Sequence, residues 1–351
     1  MRDPARILVL GYRHLGDALF LSPMLRALGR RFPDAEIAVT AHGAGATALD
    51  HNPHVDRVWR LARRGLGAKL TLLPALRRER YEVGVLAQHS LTNALLLRLV
   101  GCRVTAGLAT DGCGPLLTHR VAAPTQGVQH EVDRYLAIAA ALGAAPDGGG
   151  LEFHPTAADR EEAAATLARL GLAGRISANA PGRPPLVGLF PGSSPAQAFK
   201  RWPADRFAAL GRWLAGERGA QVLVVGGRDD MEPMQAVSAL VAAPHAVDDA
   251  PGALGRFAAL VAECDVLVTN DSGPMHLATA VGTRVVDLAG PSNPRRTGPY
   301  GPGHVVVQKV APGSPKVWAH APDPCLPMKL IEVADVRAAV DGLLESLPCS
   351  R

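Results

Sequence analysis

The chain has 351 residues, 37 basic against 32 acidic side chains for a formal net charge of +5, 48% apolar content and only 4% aromatic content. That length accommodates two domains, each with its own core built from Leu, Val and Ala rather than from rings. No run approaches the roughly 20 apolar residues needed to span a bilayer, no cleavage site follows the early Ile-Leu-Val-Leu run, and the five cysteines show no Cys-x-x-Cys spacing, so a signal peptide, a zinc ribbon and a disulfide frame are all disfavoured and a cytoplasmic protein with reduced thiols is expected.

In the first half, strand-like runs at Arg6–Leu10, Glu36–Thr40, Val55–Trp59, Val83–Leu86 and Val104–Gly107 alternate with helical patterns, notably Asp17–Phe32 and Leu91–Val100. Such alternation predicts a parallel sheet covered by helices. The charge is unevenly placed, with 18 basic and 12 acidic residues in 1–150 against 19 and 20 in 151–351. Eight basic residues crowd Arg57 to Arg80 against the lone acid Glu79. They read either as a solvated helix face or as a patch for an anionic acceptor or anionic membrane surface. Nucleic acid is disfavoured as a partner, because rings for base stacking are scarce and no binding motif is present.

Between 144 and 185 the character changes. Three consecutive glycines, a helix near Ala158–Leu170 and a Gly/Pro/Asn-rich stretch read as a connection. We therefore expect domains at 1–175 and 176–351. A second strand series comes next at Leu186–Phe190, Gln221–Val225, Val266–Thr269 and Val285–Leu288, and a helix over Val333–Leu347 closes the chain.

Two strand-loop-helix units in this second half carry anion-binding chemistry. After Leu186–Phe190 come Gly192, Ser193 and Ser194, then Lys200 and a helix with Pro203 near its first turn. Gly192 allows close backbone approach, the serines offer donors, and lysine brings a point charge suited to phosphate. After the strand ending at Thr269, the run Asn270-Asp271-Ser272-Gly273-Pro274-Met275-His276 leads into a helix of small residues. Its first-turn N–H groups and the positive end of its dipole form an anion site, unless Asp271 or Ser272 caps them. Together the two units point to one nucleotide diphosphate. In the first half, Asp17 follows Gly16 at the loop after the first strand. It reads as a helix N-cap or as a carboxylate able to take a proton.

The segments PGSSPAQAFKRWP and NDSGPMHLATAVGT, the opening ILVLGYRHLGDALFLSPMLRALGRRFPDAEIAV, and the runs HEVDRYLAIAAALG and CLPMKLIEVADV resemble the heptosyltransferase-like glycosyltransferases of family 9 over nearly the whole chain. That resemblance implies a GT-B fold, two Rossmann-like parallel-sheet domains facing a cleft, the first binding acceptor and the second nucleotide-sugar. It implies an inverting, metal-independent transferase moving a sugar, by expectation heptose from ADP-heptose, onto a carbohydrate acceptor such as lipopolysaccharide core. No cofactor is expected beyond the ADP-linked substrate, and the chain has no Asp-x-Asp motif. Partners would be the nucleotide-sugar donor and an anionic carbohydrate or glycolipid acceptor, met through peripheral contact at the inner face of the cytoplasmic membrane.

Residue by residue, the resemblance makes Asp17 the general base and Lys200 the phosphate lysine. Ser193 and Ser194 fall at phosphate-contacting positions. Asp271, Ser272, Gly273 and His276 fall in the nucleotide-sugar block, with Ser272 and Gly273 presenting backbone N–H groups and Asp271 facing a sugar hydroxyl. In the loop Gly226-Gly227-Arg228-Asp229-Asp230, either aspartate matches an acidic position beside the ribose. The chain departs from the family at Gly11, where relatives carry a basic residue, and at Arg13 and His14, which take acceptor contacts or solvate the loop; His14 is also an alternative base. A nucleotide-sugar epimerase and a non-catalytic nucleotide-sugar binder remain rival readings, whereas a dinucleotide oxidoreductase lacks its Gly-x-Gly-x-x-Gly turn.

Overall fold

The computed structural model describes residues 3–11, 14–61, 66–122, 127–176, 182–243, 245–248, 252–313 and 315–347. Its contacts divide the chain into two compact units, Met1–Phe153 and His154–Arg351. Each contains one six-stranded sheet whose neighbouring strands are all parallel.

The first sheet comprises β1 (Arg6–Leu10), β2 (Glu36–Ala41), β3 (Arg57–Arg60), β4 (Val83–Leu86), β5 (Val104–Leu108) and β6 (His119–Val121), in the order β3-β2-β1-β4-β5-β6. Central β1 is an unbroken apolar run whose Ile7, Leu8 and Val9 are fully buried, as a strand covered on both faces requires. The expected strand at Val55–Trp59 begins two residues later. Val55 closes a turn by donating to the Asn52 carbonyl at 3.1 Å, and the Asp56 carboxylate accepts from the Ile37 N–H at 2.7 Å.

The single helix expected over Asp17–Phe32 is two, Leu15–Leu19 and Ser22–Arg31. Pro23 has no N–H to give the Leu19 carbonyl, which accepts the Ser22 hydroxyl at 2.7 Å instead. The helix Leu91–Val100 forms as expected, started by Ser90 accepting from the Asn93 N–H and ended by Gly101 in the left-handed region.

Many arginines of the basic first half are paired. Arg6 and Arg57 share Glu36 and Glu79, Arg60 meets Asp50, and Arg26 meets Asp147 and Glu152. Arg77, Arg78 and Arg80 stay exposed.

In the second unit, β7 (Leu186–Phe190), β8 (Gln221–Val224), β9 (Ala246–Val247), β10 (Val266–Asn270), β11 (Arg284–Leu288) and β12 (Val305–Val307) run in the order β12-β11-β10-β7-β8-β9. The helix Ala204–Gly216 lays Phe207, Leu210 and Leu214 onto Val187, Leu189 and Val222, while Val336 and Val340 of the helix Val333–Glu345 join the same core. The helix Ala157–Leu170 belongs to this unit. Thr156 and Asp159 form a capping box at its start, and Arg256 joins its Thr166 to the fully buried Asp248. Strands β6, β9 and β12 have two or three residues each, too short to leave a periodic signal.

Candidate functional site

In both sheets, strand order reverses beside the unit's first strand, between β1 and β4 and between β10 and β7. Loops leaving the carboxyl ends of parallel strands diverge at such a reversal, and the crevice there is where open α/β sheets bind ligands.

At the first reversal, His14 is the N-cap of the helix Leu15–Leu19, and Asp17 lies in its first turn, partly exposed. Asp17 is thus not the cap, and no side-chain hydrogen bond from the cap position reaches the first turn. Arg13 lies outside the described residues. Gly11 accounts for the departure at its position. Its N–H donates to the Thr40 carbonyl at 3.1 Å, and a Cβ there would lie 2.8 Å from that same oxygen. No larger residue fits without moving the backbone. A small cavity opens here, lined by Leu10, Gly11, Thr40, Gln88 and Asn93 among others.

At the second reversal, the loops after β7 and β10 leave adjacent strand ends, with Thr269 opposite Phe190 in register. Asn270 ties them together. Its carbonyl oxygen accepts from the Trp202 N–H at 2.9 Å, while its amide donates to the carbonyls of Pro191 at 2.9 Å and Gly192 at 3.0 Å. This residue is fully buried, and motif reading had assigned it nothing; an amide at the end of an apolar strand was the available signal.

The clamp brings Lys200 onto Asp271. The ammonium donates to the Asp271 carboxylate at 2.8 Å and to the Asp271 backbone carbonyl at 3.1 Å. Both residues are only 7% exposed, so Lys200 is a pinned charge rather than a mobile surface one. Pairing is what allows a charge to be buried at all, since an isolated one would cost several kcal/mol.

Ser272 is the N-cap residue of the helix Gly273–Ala280, yet it does not cap. Its hydroxyl donates back to the Asn270 carbonyl at 3.1 Å, and no side-chain hydrogen bond reaches the first turn. With Asp271 spent on Lys200, neither candidate cap covers the helix start, which keeps its anion-binding character. His276 is buried one turn in, and its carbonyl accepts from Thr279.

Across the loop, Ser193 is buried, donating to the Gln197 carbonyl at 3.1 Å and accepting from Arg201 at 3.2 Å. Ser194 is exposed at the start of the turn Pro195–Lys200. Gly192 is required by contact. A Cβ there would lie 2.0 Å from an Asp230 carboxylate oxygen. Asp230 also accepts from the Gly227 N–H at 3.0 Å, and burial raises its pKa above the usual carboxylate value.

The structure therefore gathers Ser193, Lys200, Asp271, Ser272 and Gly273 at one sheet edge of the second unit, and places Asp17 and His14 at the corresponding edge of the first. Replacing Asn270 by Ala strands one N–H and two carbonyls, a loss of about 1–3 kcal/mol. Thermal melting should show a midpoint lower by several degrees. An unchanged midpoint would mean the loops hold together without this amide.

A family model described as glycosyltransferase family 9 (heptosyltransferase) matches residues 70–324. Lipopolysaccharide heptosyltransferase 2 of Escherichia coli is 28% identical over 309 residues, covering 84% of this chain and 85% of that one. A crystal structure of a family 9 glycosyl transferase from Veillonella parvula superposes with a TM-score of 0.79 at 26% identity, over 97% of this chain and 98% of that one. The structure of Escherichia coli ADP-heptose lps heptosyltransferase II, 24% identical with a TM-score of 0.72 over 97% and 98% of the two chains, shares the fold, and the tandem parallel sheets are those of the GT-B class. A match of this extent settles membership: the chain belongs to glycosyltransferase family 9 and is a glycosyltransferase.

Proposed function

We propose that this glycosyltransferase is inverting and metal-independent and transfers heptose from ADP-heptose to a lipopolysaccharide core acceptor. The observation that carries the donor half is the convergence of Lys200 with the uncapped start of the helix Gly273–Ala280 at the second sheet's reversal. The related heptosyltransferases of lipopolysaccharide support the choice of sugar and acceptor.

In this reading Asp17 takes the proton from the acceptor hydroxyl as its oxygen attacks the anomeric carbon. The bond to the diphosphate breaks with its electron pair on the leaving oxygen. The negative charge is met by the Lys200 ammonium, by the backbone N–H groups of Ser272 and Gly273, and by Ser193 and Ser194 through side chain or backbone. His276 donates to a phosphate oxygen. Asp271, bound to Lys200 through one carboxylate oxygen, offers the other to a sugar hydroxyl rather than to phosphate. The chain has no Asp-x-Asp motif, so the reading assigns charge neutralisation to Lys200 and the helix N-terminus. One such preorganised contact is worth about 3 kcal/mol in a transition state. Arg13 and His14 serve the anionic acceptor.

A lipid-linked acceptor implies contact with a membrane face. No helix among the described residues is long and apolar enough to cross one. What supports peripheral contact is the helix Leu91–Val100, where Leu91, Leu95 and Leu99, 46–49% exposed, form a ridge beside exposed Arg98. Sedimentation with anionic vesicles should carry the protein down, and Leu95→Asp should weaken this. Equal recovery with neutral vesicles would remove the charge component.

Calorimetric titration without metal should show ADP binding in preference to UDP and GDP. Lys200→Gln, whose amide still donates to Asp271, should weaken ADP binding about tenfold or more. A preference for UDP or GDP would move the donor away from ADP-heptose. Asp17→Asn should lower transfer by about a hundredfold or more while ADP still binds, and retained turnover would exclude Asp17 as the base.

A further inference from the structure

Near the Lys200–Asp271 pair lies a third ionisable side chain that neither the motifs nor the proposed chemistry uses. Asp287 sits one residue before the carboxyl end of β11, opposite Thr269 of β10 and Val306 of β12. It is completely buried, and among the described residues neither carboxylate oxygen has a hydrogen-bond partner. Burial chiefly, then the charge of Asp271, raises its pKa well above the ordinary carboxylate value, while Lys200 opposes the rise. Lys200 makes its ion pair with Asp271. A buried acid without partners destabilises the fold, so its position beside the one lysine of the anion site calls for a role.

Charge counting supplies one. With Asp287 neutral, Lys200 and Asp271 sum to zero, and an incoming diphosphate meets no net repulsion. With Asp287 ionised, the same three groups sum to a negative charge in a medium where it is poorly screened. We propose that Asp287 is a positioning residue for Lys200: while its carboxyl keeps its proton, the lysine shares its charge between Asp271 and the donor diphosphate, and when the proton leaves, the lysine is held by two carboxylates and the donor site weakens. The inference rests on the assignment of this site to the donor diphosphate.

Other charges near β11 are engaged elsewhere. On the helix Val333–Glu345, which packs on this strand, Asp335 pairs with Lys309, Arg337 with Glu217 and Asp341 with Arg218, and Glu345 is exposed. On the helix Gly273–Ala280 the titratable group is His276. Lys200 and Asp271 are the two charges that act on Asp287.

The test is ADP affinity, measured calorimetrically as the pH is raised from 7 on wild type and Asp287→Asn. The terminal phosphate is already ionised there, its last pKa being about 6. The wild type should lose about tenfold in affinity across this range, and the Asn variant less than about twofold, because its amide does not titrate. Parallel profiles, or a flat wild-type profile, overturn the inference and leave the donor reading standing. Absence of wild-type ADP binding at pH 7 overturns both.

Thermal melting supplies a readout without ligand. The native state holds a proton that the unfolded chain has released, so wild-type stability should fall as pH rises from the unfolded carboxylate value toward the folded one. Asp287→Asn should lack that component, and an identical slope in both proteins would overturn the inference. If the Asn variant does not fold, Asp287→Ser makes the same comparison.

Discussion

Asparagine carries one acceptor and two donors on a single short side chain, and Asn270 uses all three to bind backbone groups 68 to 79 residues away in sequence. Adjacent parallel strands bring the two loops to neighbouring exits, but strands alone leave the path of each loop open. With the Trp202 N–H held by this amide, Trp202 packs edge-to-face on Phe207 and donates to the Ile331 carbonyl. That chain of contacts runs from the sheet edge through the helix Ala204–Gly216 to the segment before the last helix. Lys200, two residues earlier, is delivered to Asp271 as a consequence.

The electrostatics result from that delivery. Burial makes the lysine dependent on its partner, and the helix start at Gly273 is left without a side-chain cap, because both side chains that would have capped it are engaged with other groups. Of the two serines, Ser193 is enclosed by Arg201 and the turn Pro195–Lys200, whereas Ser194 is exposed. A buried charged pair and a more exposed polar rim are thereby built from two short stretches of sequence.

Much of this was legible in the chain. The long apolar strands, the helix Leu91–Val100 and the two glycine-serine loops announce themselves through uninterrupted hydrophobicity and turn residues. Three things were hidden, for separate physical reasons. Edge strands of two or three residues have no periodicity to display. The break at Phe20–Leu21 required knowing that Pro23 would withhold a donor at that turn. The polar interior of the second unit depends on partners distant in sequence, so Asn270 and Asp287 look like ordinary strand residues until the sheet is assembled. Asp17 was legible as a candidate but not in its capping state, since the helix begins two residues before it.

The resting Lys200–Asp271 pair has one further consequence. A phosphate site built on an uncompensated lysine projects an attractive field and gathers any anion nearby. Here the positive charge is answered within 2.8 Å, and two opposed charges so close form a dipole whose field falls off faster with distance than that of a lone charge. Small anions such as inorganic phosphate gain little from approaching it. Under the proposed donor reading, a ligand that spans both loops gains contacts that a simple ion does not, so selection for a diphosphate comes from span rather than from attraction.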